Sequence, residues 1–242
     1  MTRDFLLVIP ARYESSRFPG KPLAQIKGMS MIYRVWEKCI SAVPRENVFI
    51  ATDDSRIELH CKENDMNFVM TSENCLTGTD RVAEVAKKIP ADFYINVQGD
   101  EPLIDPQDIK KIIDSYRKNP DATYCAMTEI KDEEEYRSPN IPKVVTDLKK
   151  NLLYMSRSAI PSNKKFTFKS AMKQVCIYAF PKKHLEEFGP GIKKTPIEEI
   201  EDIELLRLLE RNLKVRMVEI KNSTVAVDTP EDLERVISLF ND

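Results

Sequence analysis

FLLVIPARYESSRFPGKPL, residues Phe5–Leu23, joins a strand to a polar loop. The apolar run Phe5–Ile9 shows no alternation, the pattern of a strand covered on both faces. The loop behind it carries Arg12, Arg17 and Lys21 together with Ser15, Ser16 and Gly20. Ligands of an open parallel sheet sit beyond the carboxyl ends of its strands. Cations and exposed backbone N–H groups at such an end suit a chain of phosphates. The GxxxxGK[ST] spacing is absent, so this is not a Walker loop. A solvated basic loop is the competing reading.

Strand-like and helix-like segments alternate outward from that stretch. Met31–Ile40 places Ile32, Val35, Trp36 and Cys39 on one helical stripe. Val48–Ala51 reads as a strand, Asp54–Glu63 as a helix and Phe68–Met70 as a short strand. Asp80–Ile89 is helical by the spacing of Val82, Val85, Ala86 and Ile89, and Phe93–Val97 is the next strand. Asp105 caps a further helix that opens on Pro106. This rhythm predicts a Rossmann-like α/β fold, a mostly parallel sheet with helices on both faces. From Lys143 the pattern changes. Strands are expected at Lys143–Thr146, Leu152–Tyr154 and Val175–Phe180, with a lysine-rich arm over Pro161–Phe168. Ile197–Leu209 reads as one helix, Val215–Ile220 as a strand and Pro230–Phe240 as a closing helix capped by Thr229. One domain over residues 1–242 follows, with an excursion over roughly residues 140–200.

Composition narrows the partners. The 242 residues are 42% hydrophobic and 31% charged, with a net charge of −2. That is an ordinary globular balance, with no electrostatic drive toward nucleic acid or anionic membrane. Five scattered cysteines without a CxxC pair argue against a disulfide framework or zinc site and suit a reducing cytoplasm. The start, Met1-Thr2-Arg3-Asp4, runs straight into Phe5–Pro10, which is too short for a signal or membrane segment. A cytoplasmic protein is expected. His60, on a surface-type helix, and His184, in a lysine-rich turn, read as solvated residues.

Three further segments carry chemistry. Val97-Gln98-Gly99-Asp100-Glu101-Pro102 ends a central strand, where a carboxylate after a glycine can meet a divalent cation. The bland alternative is a Gly-Asp turn. Val227-Asp228-Thr229-Pro230 supplies a second carboxylate, or only a helix-start aspartate. Magnesium takes one or two protein carboxylates and completes its shell with phosphate oxygens and water. Thr71-Ser72 and Thr77-Gly78-Thr79-Asp80-Arg81 offer hydroxyls and a guanidinium for a base edge or a ribose, or only a helix cap.

Taken in order, IPARYESSRFPGKPL, ATDD (Ala51–Asp54), TGTDR, NVQGDEP, YMSRSAIP and VDTPEDLERV resemble the 3-deoxy-manno-octulosonate cytidylyltransferases, the CMP-Kdo synthetases. The resemblance spans essentially the whole chain. It implies CTP and a 2-keto-3-deoxy sugar acid as substrates, CMP-sugar and pyrophosphate as products, Mg²⁺ as cofactor, and a homodimer built on the mid-chain excursion. It implies a place in cell-surface polysaccharide synthesis. Lys21, Arg12, Asp100 and Asp228 would be the catalytic set, with Asp100 and Asp228 on the metal. Pro10, Ala11, Arg12, Ser15, Lys21, Thr71, Thr79 and Arg81 would hold the nucleotide. Gln98, Arg157, Gln174, Tyr178 and Glu204 would hold the sugar.

The chain departs from the family on the sugar side. Where the family usually reads K-H-[LV]-G-I-Y, this chain has Gln174 for the histidine and Cys176 for the glycine. Leu205 replaces a usual glutamine. A sugar hydroxyl buried against leucine without a partner would cost roughly 1–3 kcal/mol. The departures leave open a different acceptor, such as a modified Kdo or a nonulosonic acid, beside plain drift. A non-catalytic nucleotide-sugar-binding protein is the remaining alternative.

Overall fold

Alternate residues of β1 (Arg3–Pro10) enter two different cores: Phe5, Leu7 and Ile9 pack on one face of the sheet, Leu6 and Val8 on the other. This two-sided burial is why the run shows no polar alternation. The computed structural model describes residues 3–15, 17–221 and 225–240, so Met1, Thr2 and Ser16 of the segments read above lie outside the described residues. The later strands are β2 (Gln25–Ile26), β3 (Met29–Ser30), β4 (Val48–Thr52), β5 (Phe68–Met70), β6 (Ala91–Val97), β7 (Thr123–Glu129), β8 (Lys143–Thr146), β9 (Leu152–Ser156), β10 (Met172–Pro181) and β11 (Val215–Glu219). The helices are α1 (Met31–Ala42), α2 (Ser55–Glu63), α3 (Gly78–Lys88), α4 (Pro106–Lys118), α5 (Glu133–Arg137), α6 (Lys182–Leu185), α7 (Pro196–Glu201), α8 (Leu205–Glu210) and α9 (Pro230–Leu239).

The main sheet runs β11-β7-β10-β6-β1-β4-β5. β1 pairs in parallel with both β4 and β6. The chain therefore walks from β1 through β4 to β5, then returns to the other side of β1 as β6. That reversal is a topological switch point, where loops diverge at the strand ends and leave a crevice. α1 and α4 cover one face; α3, α6 and α8 cover the other. Among the described residues no helix is long and apolar enough to cross a membrane.

The α/β class agrees with the sequence reading, and several local expectations need correction. β7 was not expected; it is buried through six of its seven residues and lies between β10 and β11. β10 runs antiparallel to both β6 and β7, so the parallel order is interrupted once. Within the span of the expected excursion, β10 is an inner strand of the sheet and the β8–β9 hairpin extends from it. Ile197–Leu209 is not one helix. Asp202 adopts φ 50, ψ 49, and that left-handed residue divides α7 from α8. His184 is 2% exposed, not solvated: it lies 2.8 Å from Thr123 Oγ1, and burial pushes its imidazole down to about 4. His60 is half-buried, with its Nε2 2.6 Å from Ser30 Oγ.

Candidate active site

A cavity of about 280 Å³ opens at the carboxyl ends of β1 and β6. Its wall is drawn from segments far apart in the chain: Pro10, Ala11, Arg12, Ser15, Arg17 and Lys21 from the first loop; Thr77, Gly78 and Arg81 from the start of α3; Gln98, Gly99 and Asp100 after β6; Asp202 and Glu204 between α7 and α8; and Asp228 before α9.

One glycine sets its shape by close approach. A Cβ on Gly99 would lie 2.8 Å from the Pro10 carbonyl oxygen and 3.1 Å from Ile32 Cδ1. Only hydrogen fits there, which brings the Asp100 turn against the end of β1. Gly78 opens α3 beside the end of the Gln98 side chain, under a capping box between Thr77 and Asp80.

Three loops meet at one ammonium. Lys21 Nζ donates to Asp100 Oδ2 at 2.9 Å and to the Val227 carbonyl at 2.7 Å, and lies 3.5 Å from Asp228 Oδ1. Arg17 pairs with the same Asp228 at 3.0 Å. Both carboxylates therefore face a position already filled by positive charge. Hard carboxylate oxygens converging on one cation at a cavity wall are a donor set that fits magnesium when phosphate and water complete the shell. Among the described residues no cluster of three or more metal-ligating side chains occurs.

The start of α3 is tied down from beneath. Arg81 is 3% exposed and commits its guanidinium to Thr71 Oγ1 (2.6 Å) and Asp53 Oδ2 (2.7 Å). Thr71 does not line the cavity; it supports Arg81, which does. Thr79 is fully buried and donates its hydroxyl to Glu204 Oε2, while Asn96 Nδ2 donates to that hydroxyl at 3.3 Å. Burial pushes the Glu204 carboxyl up to about 7, and the charges of Asp80 and Glu198 push the same way against the Thr79 bonds. Asp202 stands opposite in character. The Lys194 hydrogen bond at 2.6 Å, with the charges of Lys194, Arg157 and Arg12, holds its carboxyl below the usual range.

Beneath this, Arg207 is 1% exposed and grips Glu198 with Nε at 2.6 Å and Nη2 at 2.7 Å. It also donates to Asp80 at 3.2 Å and to the Glu187 carbonyl at 3.0 Å, with the Phe188 ring 4.2 Å away. Asp80 caps α3 and Arg207 lies on α8, so this buried cluster locks the two walls of the cavity together.

The expected sugar residues divide. Gln98 and Glu204 line the cavity; Arg157, Gln174 and Tyr178 do not. Arg157 spends its guanidinium on the carbonyls of Glu201 (2.6 Å), Pro139 (2.9 Å) and Asp202 (3.0 Å), which fixes the α7–α8 turn. Gln174 Nε2 donates to Tyr178 Oη at 2.8 Å, and Tyr178 is 4% exposed, its phenol pushed well up by burial. Leu205 is fully buried and Cys176 half-buried; neither lines the cavity. Arg12 lines it and is exposed. Sequence reasoning missed Asp202, because nothing in Glu201-Asp202-Ile203-Glu204 announces a left-handed break.

The Cytidylyltransferase family model matches residues 6–218 of this chain. The chain is 41% identical to the 3-deoxy-manno-octulosonate cytidylyltransferase of Syntrophotalea carbinolica, over 95% of each. It is 37% identical to the enzyme of that name from Escherichia coli, over 97% of this chain and 95% of that one. A solved structure of CMP:2-keto-3-deoxy-manno-octonic acid synthetase in complex with CTP superposes with a TM-score of 0.89 at 37% identity, covering 97% of each chain.

Proposed function

This chain belongs to the cytidylyltransferase family, and we propose that it couples CTP to 3-deoxy-manno-octulosonate or a close 2-keto-3-deoxy sugar acid, releasing pyrophosphate. The observation that carries this reading is the meeting of Lys21, Asp100 and Asp228 at the wall of a switch-point cavity lined by the basic first loop. An anomeric hydroxyl of the sugar attacks the α-phosphorus. A new P–O bond forms, the bond to the β-phosphate oxygen breaks, and the hydroxyl proton is lost. Such a reaction asks the protein mainly for positioning and charge neutralisation. Arg12, Arg17 and Lys21 face the triphosphate. Pro10, Ala11, Ser15 and the Thr77–Arg81 segment surround the nucleoside, with Thr71 and Thr79 acting through Arg81 and Glu204. Asp100 and Asp228 would hold Mg²⁺, which supplies neutralisation at the phosphate oxygens and a more acidic hydroxyl.

The acceptor end lies at Gln98, Asp202 and Glu204, where a carboxyl near 7 can donate to or accept from a sugar hydroxyl. Arg157 holds the Asp202 turn in place. Gln174, Cys176 and Leu205, the departures from the family pattern, do not line the cavity, and the ordinary acceptor is the simpler reading. A cytoplasmic homodimer serving cell-surface polysaccharide synthesis is part of the same proposal. The test is pyrophosphate release from each of the four nucleoside triphosphates against a panel of 2-keto-3-deoxy sugar acids. Release with CTP and 3-deoxy-manno-octulosonate is expected. No release with CTP and any acceptor would sink the reading and favour a non-catalytic binder.

A further inference from the structure

The Lys21 ammonium has a complete set of partners without any substrate. Its three protons meet three acceptors: Asp100 Oδ2, the Val227 carbonyl and Asp228 Oδ1. The lysine side chain is 16% exposed, against 28% for Asp100 and 38% for Asp228, so it sits deeper than either carboxylate it joins. A lysine serving only to grip phosphate would need none of these contacts. The same two carboxylates are those read above as the metal pair. A divalent ion placed on the same two carboxylates would stand close to the ammonium, and like charges at that distance repel, so the two compete for the pair.

We propose that Lys21 is the resident counter-ion of the Asp100–Asp228 pair, keeping divalent metal out until a triphosphate draws the ammonium away. The proposal rests on the reading of Asp100 and Asp228 as metal carboxylates. The long flexible stem of lysine lets its head move between the two anionic partners. A triphosphate in the cavity offers that head a denser negative charge and so frees the carboxylates. Arg17, paired with Asp228 from the same loop, moves its charge in the same exchange. Nucleotide and metal therefore bind with positive coupling: each raises the affinity of the other, by the same factor. The exchange protects the nucleotide-free protein from filling its site with metal in a geometry no substrate completes.

The test needs no turnover. Mn²⁺ is titrated into nucleotide-free protein, with bound and free ion counted by electron paramagnetic resonance. Lys21→Met, which keeps the stem and removes the charge, is expected to bind one Mn²⁺ on the order of tenfold more tightly than the parent chain. Lys21→Gln, a second uncharged variant that guards against misfolding of the first, is expected to do the same. Adding Asp100→Asn to either variant is expected to abolish the gain. Equal Mn²⁺ affinity in the parent and both folded variants overturns the proposal, as does a gain that survives Asp100→Asn. The underlying metal reading fails on a different observation: CTP-loaded parent, Asp100→Asn and Asp228→Asn chains all binding Mn²⁺ alike.

Discussion

Replacing Arg207 with methionine isolates the cluster that joins the two walls of the cavity. Methionine approximates the length of the arginine stem and still fills space beside Phe188. What disappears is the charge that balances Glu198 and Asp80, both 0% exposed. Arg207 is itself 1% exposed, so water cannot replace it. Breaking a buried pair by removing one partner costs about 3–5 kcal/mol, because it strands an uncompensated charge. Against a typical total of roughly 5–15 kcal/mol, that is a large share of the stability. For a chain of this size it corresponds to a fall in Tm of roughly 6–20 °C. Urea unfolding followed by circular dichroism measures it, with Glu198→Gln as the second arm of a double-mutant cycle. The double variant is expected to recover part of the loss, since one stranded charge is gone. Arg207→Lys, which keeps charge but loses the two-pronged grip on Glu198, falls between. A loss below about 1 kcal/mol for Arg207→Met, the range of an exposed pair, would refute the claim that this cluster locks α3 to α8.

The remaining predictions concern pH. Glu204 titrates near 7 in the fold and near 4.5 when unfolded, so the folded chain binds the extra proton between those values and stability falls as pH rises through that window. Glu204→Gln is expected to remove this slope from urea midpoints measured between pH 5 and 8; an unchanged slope contradicts the assignment. His184 works oppositely. Its folded value is near 4 and its unfolded value near 6.5, so its contribution is whole above 6.5 and is lost as pH falls toward 4. His184→Gln should flatten the acid limb of the profile, and an acid limb of parental steepness would show that another group controls it.

Much of the fold was readable because its signals are local. The unbroken Phe5–Ile9 run, the Asp105-Pro106 helix start and the Thr229–Asp232 cap each act within a few residues, and each is present as read. β7 escaped because Thr123-Tyr124-Cys125-Ala126-Met127-Thr128-Glu129 has neither strong β-branching nor alternation; it is a strand because β10 and β11 flank it. The α7–α8 break escaped because the apolar spacing continues across it. Asp202 turns left-handed under the Arg157 guanidinium, which arrives from forty-odd residues earlier in the chain. His184 looked solvated among lysines, yet its partner is Thr123, on β7 and far away in the chain. The motif residues at the site were legible as types, since loops after parallel strands meet at one edge. Whether a given side chain lines the cavity or braces its wall depends on contacts between distant segments. That is what separates Gln98 and Glu204 from Arg157, Gln174 and Tyr178.

Phosphorus NMR of the purified product formed from CTP and 3-deoxy-manno-octulosonate tests the central claim most directly. A sugar hydroxyl attacking the α-phosphorus gives a product with a single phosphodiester resonance, alongside free pyrophosphate, and that is the predicted spectrum. Two mutually coupled resonances in the nucleotide product, without free pyrophosphate, would mean that the sugar hydroxyl had taken the γ-phosphoryl group and left CDP. That spectrum would contradict the reading of the cavity as a site that sets a sugar hydroxyl from the Gln98, Asp202 and Glu204 end against the α-phosphorus.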